Sequence, residues 1–342
     1  MCVMFFRFTE MRLLSHREFL FGLILPHVQK FSAIMSSKWI MKAFIQSAMS
    51  NVAWSEKLNY FFQTRISKSL PTTEKSLVEK AKMAITHFNY FNKHNTHSDL
   101  SRLNFFEFGA GWNLCVPIIY FMLGIDHQTI IDIEPHVRYN LLNDAIVKIE
   151  KRFNEIQDMA DKPLRHLNLK TVSALSELKS DYGFKYLAPL DARNTALSEN
   201  SFDFISNTLT LQHIPPPDLY LILIECYRIL KEEGIVSCFI DLNDNYSYTD
   251  KSISRYNFMK FSEQAWRKYN PSLHYQNRLR YPEYVDIITK VGFKIIDQKL
   301  NHPNPETFEI LKNFPIAEKF RKFSLEDLAI TSFWIILQKQ DT

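Results

Sequence analysis

Two of the seven glycines in this chain fall in a segment that could hold a small molecule. Residues 105–114 read FFEFGAGWNL, an apolar run that breaks at the glycines. Glycine adopts positive φ at no steric cost and lets a backbone approach a ligand closely. The next apolar run, TIIDIEP at 129–135, contains Asp132. A strand, a glycine turn, a helix and a strand ending in a carboxylate are typical of nucleoside sites, where that carboxylate accepts hydrogen bonds from ribose hydroxyls.

The residue at the third glycine position distinguishes two kinds of ligand. A dinucleotide fingerprint, G-x-G-x-x-G, places its last glycine where helix and strand pack closely beside a pyrophosphate. In this chain that position is Leu114, and Glu107 precedes the first glycine by two residues. The resulting acidic-x-G-x-G pattern suits a ligand that carries an ammonium group and a ribose better than it suits a pyrophosphate.

Three later segments follow this turn in a fixed order. They read YLAPLDAR at 186–193, LSENSFDFISNT at 197–208 and CYRILKEEG at 226–234. Together with the glycine turn, they resemble the class I S-adenosylmethionine-dependent methyltransferases, over residues 103–300. The resemblance implies an α/β fold: a doubly wound, seven-stranded, mostly parallel Rossmann-like sheet with an antiparallel last strand. It also implies that S-adenosyl-L-methionine is the cofactor and that the chain is an enzyme.

The resemblance also implies which residues contact that cofactor. Asp132 would bind the ribose, and Asp191 would accept a hydrogen bond from the adenine amino group. The full set of implied cofactor-binding residues is Glu107, Gly109, Ala110, Gly111, Asp132, Asp191, Ala192 and Asn207.

Catalytic candidates should follow the fourth and fifth strands of such a sheet. Methyl transfer to a hydroxyl needs alignment and a base, and histidine titrates near neutral pH. His213 follows the fourth strand and Asp241 ends the fifth, so they are the predicted catalytic residues. The alternative is structural: His213 would satisfy backbone groups, and Asp241 would only cap its strand.

Polar side chains after the fifth strand could bind the acceptor. Amide, imidazole and guanidinium groups suit a sugar, a phosphate or a carboxylate. A structural loop pinned by ion pairs is the alternative. The predicted acceptor-binding residues are Asp244, Tyr246, His274, Arg278 and Arg280.

The segments at 58–63, 241–256 and 270–280 are also similar to a bacterial methyltransferase subgroup associated with surface-polysaccharide synthesis. In that subgroup we expect a histidine directly after the aspartate at 244. This chain has Asn245 there, which argues against a base at that position. The similarity implies O-methylation of a small-molecule or glycan-like acceptor. A non-catalytic Rossmann-like binding module and an NAD(P)-dependent oxidoreductase are the alternatives.

Helix and strand limits follow from apolar spacing and glycines. Helical spacing from Leu221 to Leu230 predicts a helix, which the run Lys231–Gly234 would end at its glycine. The apolar run at 235–241 predicts a strand covered on both faces. Nearer the C-terminus, the sequence predicts a helix that opens near Pro282 and ends at Gly292, and strands at 293–296 and 332–337.

A length of 342 residues and 46% hydrophobic content predict more than one structural unit. Residues 101–342 would form the methyltransferase domain, with an insertion at 301–325, and residues 35–100 a helical N-terminal cap. Residues 1–34 would form a leader whose apolar run at 19–25 is too short to span a bilayer. This leader is a buried helix, a disordered segment, sequence upstream of a start at Met35, or a helix that associates weakly with a membrane surface.

Charge and cysteine content exclude some classes of function. A net charge of +4, with lysine and arginine scattered along the chain, does not favour nucleic-acid binding. The four cysteines lack metal-type spacing, so no metal site is predicted. Three of them fall in predicted core elements, which indicates a reducing compartment and a cytoplasmic protein, with the inner face of the membrane as an alternative location.

Overall fold

The structure is a computed structural model that describes residues 37–50, 60, 63–64, 70–95 and 99–340. Within these residues, seven strands form one sheet in the order β3-β2-β1-β4-β5-β7-β6. Strands β1 to β5 pair in parallel, and β7 runs antiparallel to β5 and β6. The predicted doubly wound sheet and its antiparallel last strand are therefore confirmed. The strands are β1 Asn104–Phe108, β2 His127–Ile131, β3 Phe184–Leu187, β4 Phe202–Thr208, β5 Leu230–Asp241, β6 Phe293–Asn301 and β7 Ser332–Lys339.

Helices cover both faces of this sheet. They are α1 Lys38–Ser50, α2 Glu74–His94, α3 Cys115–Met122, α4 Tyr139–Lys151, α5 Phe153–Gln157, α6 Leu175–Tyr182, α7 Pro216–Ile229, α8 Glu263–Trp266, α9 Tyr281–Val291, α10 Pro305–Lys312 and α11 Leu325–Ala329. Short 3₁₀ helices lie at Leu100–Arg102, Leu211–His213, Asn245–Tyr248, Asn257–Lys260, Arg267–Tyr269, Ser272–His274 and Glu318–Phe320.

Alternation along β1 divides the core into two layers. Phe105 packs in the layer under α2, α3 and α4, whereas Phe106 packs in the layer under α7 and α9. Successive strand side chains point to opposite faces, so a wholly apolar strand is buried on both sides. The Phe91 ring of α2 lies 5.1 Å from the Phe105 ring and 5.0 Å from the Phe204 ring. Helix α2, which the sequence places in the N-terminal cap, thus packs directly on the middle of the sheet.

Helix α1 lies against a third cluster, built from the segments that follow β5 and precede β7. The Trp39 ring is 5.6 Å from the Tyr246 ring and 5.0 Å from the Tyr269 ring. The Trp39 backbone N–H donates to Asp250 Oδ2 at 3.1 Å. Helices α1 and α2 lie where the sequence predicts a helical N-terminal cap, and the domain boundaries proposed for the chain stay predictions.

Glycines end two described helices, but Gly234 does not end α7. Helix α9 stops at Gly292, whose φ of 105° is left-handed, as predicted. Helix α7 stops earlier, at Ile229, because Leu230 is already extended (φ −71°, ψ 139°) and starts β5. The expectation that Lys231–Gly234 ends this helix is therefore wrong. Leu230 pairs with Phe202 across the register shift in β4, and that pairing keeps the segment in the sheet.

The start of α2 carries a side-chain cap that can be tested. The Thr73 hydroxyl accepts a hydrogen bond from the Ser76 backbone N–H at 3.2 Å. We expect Thr73→Ala to lower the free energy of unfolding by ~1 kcal/mol in denaturant titration, since it leaves that donor unpaired. Thr86→Ala, a half-buried site inside the same helix, is the control and should be neutral or slightly stabilising. Equal effects of the two variants would contradict the cap.

Some predictions fall on residues that are not described. The leader at 1–34 lies wholly outside the described residues, and the segment at 58–63 lies largely outside them. Across the described ranges, no helix is long and apolar enough to cross a bilayer.

Candidate cofactor site

A cavity of about 400 Å³ lies beyond the C-terminal ends of β1 and β2. Strand β1 has β2 on one side and β4 on the other, so this is the point where the strand order reverses and open α/β sheets bind ligands. The volume falls within the range of small-molecule sites, roughly 300–1,000 Å³. The cavity is lined by Phe108, Gly109, Gly111, Ile131, Asp132, Ile133, His136, Leu190, Asp191, Ala192, Arg193, Thr210, His213, Ile214, Pro215, Asp218 and Ile222.

The two glycines of the turn are required for different reasons. Gly109 has a φ of 73°, and a Cβ there would lie 2.6 Å from Thr210 Cγ2. Gly111 has a φ of 75°, but no atom lies within 4 Å of the position its Cβ would take. Gly109 is therefore fixed by protein packing, whereas the space beside Gly111 is open and belongs to the cavity. That open cradle is where a ligand could approach the backbone closely.

Leu114 occupies the third glycine position of a dinucleotide fingerprint and has the left-handed backbone that a glycine would adopt there. Leu114 has a φ of 49° and ψ of 36°, and it precedes the first turn of α3. Its side chain is fully buried in the core layer under α2 and α3. A left-handed residue with a Cβ is strained by about 1–2 kcal/mol, which apolar burial of this kind offsets.

Two buried carboxyl groups lie next to the glycine turn. Burial and the neighbouring charge of Asp132 raise the pKa of Glu107 well above its ordinary value. Glu107 Oε2 is buried and has no hydrogen-bond partner among the described residues. Burial raises the pKa of Asp132 to about 7, although hydrogen bonds from Tyr186 and the Gly111 N–H oppose the shift. The unpaired Glu107 oxygen and the Asp132 carboxyl are acceptors that fit a ligand with hydroxyl or ammonium donors.

The far end of the cavity is apolar with a charged rim. Leu190, Ile214 and Ile222 form part of its wall. Asp191 accepts a hydrogen bond from the Arg193 backbone N–H at 2.9 Å, and the Arg193 guanidinium lowers the pKa of the Asp191 carboxyl. Arg193 also pairs with Asp218 at 2.7 Å. An ionised carboxylate beside an apolar slot suits an adenine ring, whose amino group is a donor.

The structure brings most of the predicted cofactor residues to this one cavity. Gly109, Gly111, Asp132, Asp191 and Ala192 line it. The other three predicted residues do not line the cavity. Glu107 is buried beneath the turn, and Ala110 packs against the core layer under α3. The Asn207 amide is fully buried and donates to the Phe108 carbonyl at 3.0 Å, which ties β4 to the start of the turn.

His213 lies on the cavity wall with one ring nitrogen engaged. Its Nδ1 is 2.8 Å from the Tyr275 carbonyl oxygen. Because a carbonyl only accepts, Nδ1 carries the proton and Nε2 has a free lone pair in the neutral ring. Partial desolvation lowers the pKa of His213, and the Tyr275 carbonyl and the Asp241 charge oppose that shift. A neutral imidazole with an available Nε2 is the form that accepts a proton.

The loop that carries His213 is clamped by Asn277. The Asn277 Nδ2 group donates to the carbonyls of Leu211 at 2.9 Å and Ile214 at 3.0 Å. Its backbone N–H donates to the Gln212 carbonyl at 2.9 Å. The segment at 275–279 therefore fixes the 3₁₀ helix on which His213 sits, and this explains why a polar segment so far along the chain matters to the cavity.

The other predicted catalytic residue, Asp241, does not line the cavity. Its carboxyl group accepts hydrogen bonds from Tyr248 Oη at 2.6 Å and from the Asn243 backbone N–H at 3.0 Å. Burial raises the pKa of Asp241, and the nearby His213 opposes the rise. It acts on His213 through its charge, at the end of β5.

Two predicted acceptor residues are corrected by their internal hydrogen bonds. Asp244 is 0% exposed; its Oδ1 accepts from the Tyr246 backbone N–H at 2.8 Å and its Oδ2 from Asn257 Nδ2 at 3.1 Å. Tyr246 is 2% exposed and donates to the Tyr269 carbonyl at 2.7 Å. Both side chains stabilise the segment after β5, and neither presents a free group to an acceptor.

The two predicted acceptor arginines are corrected in the same way. Arg278 Nη1 donates to the carbonyls of Phe258 at 2.9 Å and Phe261 at 2.8 Å. Arg280 is 0% exposed, and its guanidinium donates to the carbonyls of Leu242, Leu328 and Ile330. These buried cations join the segment after β5 to the segment before β7. Guanidinium density in a sequence does not distinguish such an internal role from ligand binding.

His274 remains beside the candidate base. Its ring centroid is 6.2 Å from that of His213, and its Nε2 has no hydrogen-bond partner among the described residues. Burial lowers the pKa of His274 to about 3, so the ring is neutral. Its Nε2 is buried and His274 does not line the cavity, so the structure gives this ring no open path to an acceptor.

Several cavity residues escaped the sequence reasoning. Thr210, His136, Arg193 and Asp218 line the cavity, and Tyr186 bonds two of its lining residues. A signal was present for two of them: Arg193 lies directly after Asp191-Ala192, and Thr210 opens the loop after the fourth strand. Tyr186 gave none, because an aromatic residue in a strand is ordinarily core.

Comparisons with known proteins agree with this fold. Residues 166–238 match a family model described as a methyltransferase domain. No curated protein matches the chain. The chain is similar to the solved structure of an S-adenosylmethionine-dependent methyltransferase from Methanosarcina mazei, with 17% identity over 74% of this chain and 98% of that chain and a TM-score of 0.44. It is also similar to geranyl diphosphate C-methyltransferase from Streptomyces coelicolor A3(2), with 11% identity over 75% of this chain and 78% of that chain and a TM-score of 0.40.

Proposed function

We propose that this S-adenosylmethionine-dependent methyltransferase transfers its methyl group to a hydroxyl oxygen of a small-molecule or glycan-like acceptor. The chain is an enzyme of this kind and S-adenosylmethionine is its cofactor, because the methyltransferase-domain match, the sheet order and the acidic-x-G-x-G turn agree. The matched segment contains both Asp191 and His213. The choice of oxygen as the receiving atom, and the kind of acceptor, are what we add.

The observation that carries this proposal is the state of His213. The Tyr275 carbonyl engages Nδ1, so the ring offers Nε2 on the side of the cavity that it lines. When bound, S-adenosylmethionine would supply a methyl group on a sulfonium, which is reactive without help from the protein. A hydroxyl acceptor still has to lose its proton as the new O–C bond forms, and His213 Nε2 would accept it. Asp241 would stabilise the imidazolium through its charge.

Under this proposal, the ribose, the adenine and the amino-acid portion of the cofactor would each contact different residues of the cavity. Asp132 would bind the ribose hydroxyls, and Asp191 would accept from the adenine amino group beside the apolar wall. The backbone at Gly109 and Gly111 would lie against the amino-acid portion. Glu107 lies beneath the turn, and its Oε2, which lacks a hydrogen-bond partner, would help to bind the amino-acid portion from there.

The proposed acceptor would bind beyond His213. The similarity of this region to polysaccharide-associated methyltransferases supports a hydroxyl-bearing, glycan-like molecule. Nucleotide sugars and glycolipids both carry such hydroxyls. With a cytoplasmic location, the enzyme would act on precursors of a surface polysaccharide, and residues 1–34 would provide any contact with the inner face of the membrane.

Calorimetry on the full-length chain tests the cofactor and its rivals together. We expect S-adenosylmethionine and S-adenosylhomocysteine to bind, and NAD and NADP to show no heat, because Leu114 takes the third glycine position that a pyrophosphate site uses. A screen of nucleotide sugars and glycolipids for S-adenosylhomocysteine release then tests the acceptor class. Binding of NAD alone would indicate an oxidoreductase. Cofactor binding with methyl transfer only to nitrogen or carbon acceptors would refute O-methylation.

A further inference from the structure

The hydroxyl group of Tyr186 connects the candidate ribose-binding carboxylate to the backbone of the neighbouring loop. Tyr186 lies in β3, opposite Ile130 of β2 in the parallel register. Its Oη is 3.0 Å from Asp132 Oδ2 and 3.2 Å from the His136 backbone nitrogen. Tyr186 does not line the cavity, whereas Asp132 and His136 both do. The tyrosine therefore touches the site only through these two residues.

The direction of the hydrogen bond to Asp132 follows from the partners of Tyr186. The His136 backbone N–H donates to the Tyr186 oxygen at 3.2 Å. A phenol hydroxyl has one proton to donate, and that proton lies on the bond to Asp132 Oδ2 at 3.0 Å. A donor aimed at a carboxylate oxygen stabilises the charged form, so this bond favours ionised Asp132.

We propose that Tyr186 is a positioning residue that holds Asp132 ionised and aims its second oxygen at the ribose hydroxyls of the cofactor. This inference rests on the proposed role of Asp132 in the function above. Asp132 lines the cavity and its Oδ2 is bonded to Tyr186, so Oδ1 is the oxygen that we assign to the ligand. Hydrogen bonds to a charged oxygen are stronger than bonds to a neutral one, so ionisation of Asp132 should set the cofactor's affinity.

Burial makes this help necessary. It raises the pKa of Asp132, while Glu107 on β1 and Asp191 in the same cavity are the acidic groups nearby, and the Asp132 charge raises the pKa of Glu107. No lysine or arginine is among the causes that shift the pKa of Asp132; the donors that favour its charge are Tyr186 and the Gly111 N–H. His136 lines the same cavity and donates its backbone N–H to the tyrosine. Loss of the phenol hydroxyl would therefore remove one of two groups that stabilise the carboxylate.

The affinity for the cofactor should therefore depend on pH. Burial raises the pKa of Asp132 to about 7, so the group is ionised above that pH and protonated below it. Ribose hydroxyls donate to the ionised form, and affinity should therefore be complete above the midpoint and fall by up to tenfold per unit below it. Without the Tyr186 hydroxyl, the carboxylate is less favoured and the midpoint should move to higher pH.

The test is a pH series of binding by calorimetry between pH 5.5 and 8.5. The probe is 5′-methylthioadenosine, which has the ribose and adenine but lacks the amino-acid group that itself titrates near pH 8. We expect Tyr186→Phe to weaken binding roughly three- to tenfold at pH 7 and to raise the midpoint. Tyr182→Phe is the matched control, since that buried hydroxyl donates to the Asn168 carbonyl at 2.5 Å away from the cavity. It should bind as the wild type does.

Asp132→Asn separates this inference from the function on which it rests. The amide does not titrate, so its binding should be weak and independent of pH in this range. If the wild type binds neither this probe nor S-adenosylmethionine, the proposed function fails. If the wild type binds and Asp132→Asn loses affinity, but Tyr186→Phe keeps both affinity and midpoint, the inference about Tyr186 is overturned. An unchanged thermal midpoint in Tyr186→Phe would exclude unfolding as the cause of weaker binding.

Discussion

His213→Ala should lower kcat by about 10²–10⁴-fold while leaving the affinity for S-adenosylmethionine within about twofold of the wild type. The His213 imidazole lines the cavity and has Nε2 available to accept a proton at neutral pH, and the lining Asp132 and Asp191 are assigned to the cofactor. An alanine leaves the acceptor hydroxyl to lose its proton to water. A loss confined to kcat, with cofactor binding kept, marks a group that acts in the transition state.

The measurement is the rate of S-adenosylhomocysteine release with the acceptor returned by the screen. Added imidazole should restore part of the rate to His213→Ala, because it can enter the space that the side chain leaves. His302→Ala removes an exposed histidine beyond β6 and is the matched control. A His213→Ala enzyme with wild-type kcat would show that no base is needed at this position.

The pH profile adds a signature that a structural histidine would not give. Desolvation lowers the pKa of His213 from its ordinary value of 6.5, so the neutral base persists into mildly acidic solution. Below the lowered pKa a proton occupies Nε2, and kcat should fall by tenfold per pH unit. The alanine variant should lack this acid limb.

The sheet and the glycine turn were predictable because the sequence marks them locally. Gly109, Gly111 and Gly292 all have positive φ, so each glycine reports a backbone need that few other residues can meet. Gly234 does not have a positive φ, and the prediction that it ends a helix is wrong. Its neighbour Leu230 already pairs with Phe202, and a tertiary contact of that kind is invisible in local spacing.

The acceptor half was predicted poorly because burial, and not residue type, decides its roles. Arg278 and Arg280 look like ligand-binding groups in a polar segment, yet they bond backbone carbonyls in the interior. A buried cation requires such partners, and only the folded chain shows which carbonyls are available. The same segment contributes to the site through Tyr275 and Asn277, whose contacts with the His213 loop span more than sixty residues.

These clamps explain how one polar segment serves both stability and chemistry. Asn277 holds the carbonyls on either side of His213, and Tyr275 fixes the tautomer of the ring. The catalytic group therefore sits on a short loop whose geometry is set from outside that loop. A site at the ends of strands is built on loops, so its base must be held rigidly by contacts from outside its own loop.

Asp132→Ala should weaken S-adenosylmethionine binding by ten- to a hundredfold, or roughly 1.5–3 kcal/mol, the worth of a hydrogen bond to a charged group. The carboxylate lines the cavity at the end of β2 and is buried, so a ribose hydroxyl bound there would be shielded from water. Calorimetry at pH 8, where the wild-type group is ionised, should give the largest difference. At pH 6 the wild type has lost most of its charge, and the gap between the two proteins should narrow.

Glu134→Ala provides the matched control, because it removes an exposed carboxylate two residues further along the same segment. Its affinity should equal that of the wild type at both pH values, since an exposed charge at this distance is screened by solvent. Equal losses in the two variants would point to the net charge of the cavity mouth and not to a bond with the ribose. Unchanged affinity in Asp132→Ala would remove the carboxylate from the cofactor site, and with it the reason for Tyr186 to donate to it.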